Sequence, residues 1–269
     1  AMKATRMTGI LSVLLVFLFV GNASARDRGE FTETFLAKSS IKFDAVSGDC
    51  QIIKGDSDKI TVSYEYSYSP SNSFEPILEV RGEKLILREI LHGSCSGSSR
   101  WTIAVPDKIR VSFTTASGSL NAEGVEIDLN CSTASGDIIL DDMKGIFSVE
   151  TASGDIRLEN FSGEISGSTA SGDIEVRKAA GDIDLQTASG SVDVRDIKGT
   201  INLESASGNV DVTGAVVEDR SYFGTASGNV YVVLGASPTN DIDVASASGD
   251  AVLNYNGFPI KGFFEFITM

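Results

Sequence analysis

Three aspartates stand at the same place in one short motif: Asp137, Asp155 and Asp173 each follow the Ser-Gly of TASGDI, at 133–138, 151–156 and 169–174. Carboxylates repeated on glycine-bearing turns are the raw material of a calcium loop or of an acid pair. Further copies read TASGSV at 187–192, SASGNV at 205–210 and TASGNV at 225–230. The residue after the glycine runs Ser119, Asp137, Asp155, Asp173, Ser191, Asn209, Asn229, Asp250. Serine and asparagine share the place with aspartate, so what persists is hydrogen-bonding capacity and not charge. Successive aspartates about 5 Å apart repel by roughly 0.8 kcal/mol per adjacent pair in water, which a calcium ion would relieve. The nonapeptide calcium rolls, however, use a G-G-x-G-x-D-x-U-x run that this sequence lacks. The reading preferred here is a corner: glycine supplies a positive φ, and Ser, Asp and Asn cap the backbone groups that the turn exposes. Calcium binding at Asp137, Asp155 and Asp173 is the alternative.

The elements that hold these corners follow from the spacing. The Ser-Gly glycines fall at 118, 136, 154, 172, 190 and 208, at intervals of 18, and then at 228 and 249. A second glycine lies midway, at Gly145, Gly163, Gly181 and Gly199. Two places after each Ser-Gly glycine come Leu120, Ile138, Ile156, Ile174, Val192, Val210, Val230 and Ala251, and the places four beyond are apolar as well. Four and two places before each motif Thr or Ser are two more columns, among them Leu129, Phe147, Ile165, Ile183 and Ile201, and these continue to Phe264 and Phe266. Alternation at period two, rich in Val and Ile, marks half-buried strands. Four apolar columns in register mean that the coils stack, each needing its neighbours for hydrogen bonds and packing. The expected fold is an all-β, right-handed parallel β-solenoid, flattened, with about 18 residues per coil.

Other chemistry is sparse. Thr115, Thr133, Thr151, Thr169, Thr187, Ser205, Thr225, Ser246 and Thr268 form a column that could be an ice- or polysaccharide-binding row. Their parity is inward, so a structural ladder at the bend is expected. A polysaccharide-cleaving β-helix would need converging charges on an outer sheet. Arg157, Glu175, Arg177, Asp193, Arg195 and Asp211 supply outward candidates, yet they are mixed among Ser, Asn and Thr as on a solvated face. Inserted loops that would build a cleft are nearly absent between 118 and 208. His92, the single histidine, lies in LHGSCSGSS and reads as a solvated loop residue rather than a catalytic base. Tyr222 and Tyr231 are the aromatic candidates for surface contact. No catalytic, cofactor or metal residues are assigned, and no cofactor is expected.

The N-terminus sets the compartment. Lys3 and Arg6 precede the apolar run ILSVLLVFLFV at 10–20, and Ala23-Ser24-Ala25 offers a cleavage site, the three parts of a secretory signal peptide over 1–25. The run is too short to cross a bilayer, which takes about 20 residues, so no transmembrane segment is expected in the mature chain. The expected location is periplasmic, cell-envelope or extracellular. Cleavage leaves 20 basic against 37 acidic residues, an excess that argues against nucleic acid and anionic membranes as partners. Of Cys50, Cys95 and Cys131, the first two could pair in an oxidising compartment; the alternative is three buried thiols. Residues 26–109 are expected to form an N-terminal β cap and first rung, with a hairpin turn at Arg81–Lys84. Residues 110–269 hold the repeats. The next Ser-Gly would fall at about 270–271, past Met269, so the last strand is either the cap or the start of a further coil, with an anchor or domain beyond it.

RWTIAVPDKIRVSFTTASGSL at 100–120 resembles the lead-in, v-P…l-v-t-x-S-G-d-v, of a bacterial domain-of-unknown-function family that goes by the name "putative adhesin". The S-G-D-I-x-L coils that follow are similar to the body of that family, and the resemblance spans about residues 30–269. It implies an exported, non-enzymatic β-solenoid, adhesin-like in the cell envelope, and carries over no catalytic or ligand residues. The partner would be an unidentified protein or a cell-surface glycan, with open strand edges as a route to self-association.

Overall fold

The computed structural model describes residues 27–260, and among them every regular element is a β-strand. The residues 1–25 assigned to a signal peptide, and Phe264, Phe266 and Thr268 of the inward columns, lie outside the described residues.

From Ile109 onward the chain winds as a parallel β-solenoid of about 8 turns. One wall is built from β8 (Ile109–Thr115), β10 (Glu126–Thr133) and β12 (Lys144–Thr151), and the other from β9 (Leu120–Glu123) and β11 (Ile138–Asp141). Next, β13 (Ile156–Thr169), β14 (Ile174–Thr187) and β15 (Val192–Ser207) run through the bend and serve both walls. The stack ends with β16 (Val210–Val217), β17 (Ser221–Ser227), β18 (Val230–Leu234), β19 (Ile242–Ser246) and β20 (Ala251–Asn254). Pairing joins like to like: Ile138, Ile156, Ile174, Val192 and Val210 lie in one file, every one of them fully buried. The aliphatic files therefore face each other between the walls as a single core. Where a file lacks a side chain, at Gly167, Leu185 Cδ2 and Val149 Cγ2 move in to 2.7 and 3.1 Å of the empty Cβ position.

The N-terminal third departs from chain order. Its strands are β1 (Asp27–Leu36), β2 (Ser40–Asp44), β3 (Asp49–Lys54), β4 (Lys59–Ser69), β5 (Phe74–Arg81), β6 (Lys84–Leu91) and β7 (Ser96–Val105). The coil β2–β3 is inserted between the coils β6–β7 and β8–β9, with parallel neighbours on both sides. Beyond β6–β7 the hydrogen bonding turns antiparallel: β5 closes the first wall through a tight turn at Gly82-Glu83, while β4 and then β1 close the second. Phe113, Phe43, Trp101, Tyr64 and Phe31 carry the core into this cap, successive ring centroids lying 4.5–5.3 Å apart.

The Ser-Gly glycines need another explanation than the expected positive φ. Gly118, Gly136, Gly154, Gly172, Gly190 and Gly208 are absent from the left-handed region. They are required because a Cβ on Gly172, for example, would lie 1.9 Å from the carbonyl oxygen of Gly154 in the coil before. Of the Ser-Gly glycines only the last two, Gly228 and Gly249, have positive φ, at 149° and 150°, whereas a file of φ between 51° and 80° belongs to the opposite bend, at Gly124, Asp142, Asn160, Lys178, Asp196 and Gly214. That bend is open to solvent and tolerates side chains. Gly172→Ala is accordingly expected to lower unfolding stability by more than about 4 kcal/mol, while Gly124→Asn stays within about 1 kcal/mol of the parent in urea unfolding.

Candidate functional site

The corner residues spend their polar groups on one another. From Thr133 onward each column hydroxyl donates to a glycine carbonyl of the preceding coil: Thr133 to Gly118 O at 3.1 Å, Thr151 to Gly136 O at 3.0 Å, Thr169 to Gly154 O at 2.9 Å. Thr187, Ser205, Thr225 and Ser246 continue the series at 2.7–2.9 Å. These Thr side chains are buried, as the inward parity requires. The residue after each glycine makes a second ladder, accepting the amide of its counterpart one coil on. Asp155 N–H donates to Asp137 Oδ1 at 2.9 Å, Asp173 N–H to Asp155 Oδ1 at 2.9 Å, and Ser191 N–H to Asp173 Oδ1 at 2.8 Å. Ser119 and Asn209 play the same part toward Asp137 and Asn229, which explains why Ser, Asp and Asn interchange.

The second carboxylate oxygens of Asp137 and Asp155 face a cation of the protein itself. Arg157 lies 2.6 Å from Asp155, 3.5 Å from Asp137 and 3.9 Å from Glu175. Among the described residues no group of three or more His, Cys, Asp or Glu is arranged to hold a metal ion.

The outward charges predicted for an enzyme cleft do share one surface, the outer face of the second wall, where Arg157, Glu175, Asp193 and Asp211 form one file and Arg177 and Arg195 the next. They pair along their own strands, Arg177 with Glu175 and Arg195 with Asp193, at exposed positions that contribute about 0–1 kcal/mol each. Among the described residues Asp211 has no such cation: burial first, and then the neighbouring Asp193, holds its carboxyl above the usual range. The two tyrosines are separated. Tyr231 continues the Asp211 file on the second wall, with Asn254 Nδ2 donating to its hydroxyl at 3.2 Å, whereas Tyr222 belongs to the first wall. His92 meets Glu75 at 3.0 Å on the surface of the cap.

All three cysteines are free thiols, so the Cys50–Cys95 disulfide is not formed. Cys50 faces Trp101 across β3 and β7, and Cys95 lies six residues before Trp101 on an extended chain, about 20 Å away, where a disulfide needs Cα atoms within about 7 Å. Burial pushes the Cys131 thiol up to about 12 and raises Cys50 as well, which leaves both protonated and unreactive. Cys95 is only half-buried.

Sequence reading missed Glu89. It is buried in β6, and its Oε2 accepts the amides of Val46 at 2.8 Å and of Ser47 and Gly48 at 3.2 Å. Its Oε1 accepts Trp101 Nε1 at 2.6 Å and the Ser99 hydroxyl. The first Ser-Gly corner thus receives from one carboxylate what later corners receive from a preceding coil. The signal was present: Glu89 follows Leu85 and Leu87 at inward parity.

Two outcomes follow. Asp155→Asn should retain the parent's urea midpoint, since Asn fills this ladder elsewhere, and Asp155→Ala should lose about 1–2 kcal/mol through the orphaned Asp173 amide. For Asp211 the raised folded value means that the folded chain holds its proton more tightly than the unfolded one. Stability is then lost as pH climbs from the ordinary aspartate range, about 4, through that raised value. Asp211→Asn should raise the melting temperature at neutral pH, and the gain should vanish once the pH falls below that window.

The Toastrack DUF4097 family model matches residues 83–180 and again 178–259. No curated protein matches the chain. Among solved structures, a "putative lipid binding protein" from Parabacteroides distasonis ATCC 8503 is 12% identical, with 85% of this chain and 96% of that one covered at a TM-score of 0.39. A "putative adhesin" from Bacteroides fragilis NCTC 9343 is 14% identical, with 84% and 96% covered at a TM-score of 0.36. Overlaps this loose carry no argument about binding. The family model, by contrast, covers well over half of the sequence, and by it this chain belongs to the Toastrack DUF4097 family.

Proposed function

We propose that the chain is a non-enzymatic, exported binding module, an adhesin-like rod of the cell envelope that presents the outer faces of its two walls to a protein or glycan partner. The observation that carries this is a division of labour within the repeat. The corner hydroxyls and carboxylates are engaged by the chain's own backbone. The outward files, by contrast, change character from coil to coil, as in Arg157, Glu175, Asp193, Asp211, Tyr231 and Val252. A surface free to vary on a fixed frame suits recognition more than catalysis.

The end of that file favours a glycan. Tyr231 and Val252 are adjacent and 41% and 42% exposed, an aromatic-aliphatic platform of the kind on which a sugar ring stacks, with Asp211 and Asn254 beside it to meet hydroxyls. The basic start and apolar run before Ala25 support export.

Expression of the full chain in a bacterial host, with fractionation and N-terminal sequencing, should find a mature form beginning near Arg26 outside the cytoplasm. A glycan array probed with it should show binding that Tyr231→Ala weakens at an unchanged melting temperature. A cytoplasmic chain that keeps residues 1–25 would overturn the export reading, and release of reducing ends from a bound polysaccharide would replace binding by catalysis. A melting temperature raised by calcium and restored by chelator would favour the calcium-binding alternative at Asp137, Asp155 and Asp173.

A further inference from the structure

The first wall handles charge differently from the second. Its outward file Arg110, Asp128, Ile146, Glu164, Asp182, Thr200 is basic only at its first place, three strands from Glu164, and among the described residues neither Glu164 nor Asp182 has a Lys, Arg or His within ion-pair distance. Beside this file the chain passes through Gly145, Gly163 and Gly181. Each stacks its backbone on the coil before, and a Cβ there would lie 1.8–2.0 Å from a carbonyl oxygen. Over this low glycine backbone lies an open groove of about 390 Å³. One side is formed by Glu126, Lys144 and Ser162, and the other by Ile146, Glu164 and Asp182. Lys144 is turned to Glu126 at 3.9 Å, so it does not neutralise the far side. What remains is a glycine floor, an isoleucine 56% exposed, and two carboxylates on adjacent strands, about 4.8 Å apart and both open to solvent.

We propose that this groove is a docking site for a lysine of an extended, basic peptide segment of a protein partner, separate from the glycan surface on the opposite wall. The aliphatic stem lies along Ile146 and the glycine floor, and the ammonium sits between Glu164 and Asp182. Lysine fits better than arginine because a compact ammonium with three donors can serve two carboxylates from different strands, whereas a planar guanidinium matches a single carboxylate edge. Stem and head together match a groove that is apolar along its length and negative at one place. The axial run of the groove over neighbouring coils suits a peptide in extended conformation.

Hexalysine titrated into the full chain at low ionic strength, followed by calorimetry, tests this. Binding should weaken with added salt and fall at least about fivefold in Glu164→Gln/Asp182→Asn, where both charges are lost. Ile146→Ser should weaken it too, while Asp193→Asn on the other wall leaves it unchanged. All these positions face solvent, so equal melting temperatures will certify the variants. The proposal fails if hexalysine does not bind, if the Asp193 variant loses as much as the double variant, if Ile146→Ser has no effect, or if glucosamine oligomers bind the groove and hexalysine does not. The failure of glycan binding at Tyr231 would leave it standing, because that platform lies on the opposite wall.

Discussion

At each Ser-Gly corner from Gly118 to Gly249 a carbonyl oxygen of one coil occupies the space in which the next coil's glycine would carry its Cβ, at 1.9–2.0 Å from Gly136 to Gly208. Two main chains in this contact leave no room for a side chain, and they bring the hydroxyl of the following Thr within reach of the same oxygen. The pitch of the solenoid, the Thr ladder and the Asp, Ser and Asn ladder all depend on that approach. Once the corners stack, the residues two and four places on are carried into file, and the core follows without further specification.

The same contact divides the molecule's surface into two kinds. At the Ser-Gly bend the chain is committed to small residues and internal hydrogen bonds. At the opposite bend, φ near 50° to 80° is met by glycine in Gly124 and Gly214 but by Asp142, Asn160, Lys178 and Asp196 between them; at Gly124 a Cβ would meet only open space, and at Gly214 its nearest neighbour would be the Asp196 side chain rather than a carbonyl of the coil before. The walls between are freer still. Their outward residues have no structural duty beyond strand formation, so charge is distributed unevenly: paired with arginines on one wall, uncompensated beside the glycine groove on the other.

Much of this was legible in the sequence, and the exceptions have definite causes. The interval of 18 and the files of Val, Ile and Leu lead directly to stacked coils, and the inward parity of Thr151 and Thr169 leads to buried hydroxyls. The role of glycine was legible as a place but not as a cause, since a residue name does not distinguish a forbidden Cβ from a required φ. The second bend went unrecognised because Lys178 interrupts an otherwise clear Gly-Asp-Asn file. The spatial order of the first coils was hidden for another reason. Residues 40–54 alternate in the same way whether their neighbours precede or follow them, and only long-range pairing decides. Of the candidate surface, Tyr231 was visible as an exposed aromatic. The groove was not, because its members come from successive coils 18 residues apart and become neighbours only through register.

The insertion of β2–β3 between later strands also orders events in time. A chain emerging from its N-terminus makes this coil long before either sheet neighbour exists: Phe43 must wait for Leu87 on one side and Phe113 on the other. The regular coils, each of which finds its partner 18 residues away, close much shorter loops and bear the smaller entropic penalty. Assembly therefore favours the middle of the rod as its nucleus, with the aromatic plug of Phe31, Tyr64 and Trp101 sealing the N-terminal end late. During any passage across a membrane the segment most exposed to misassociation is then the one at the front of the chain.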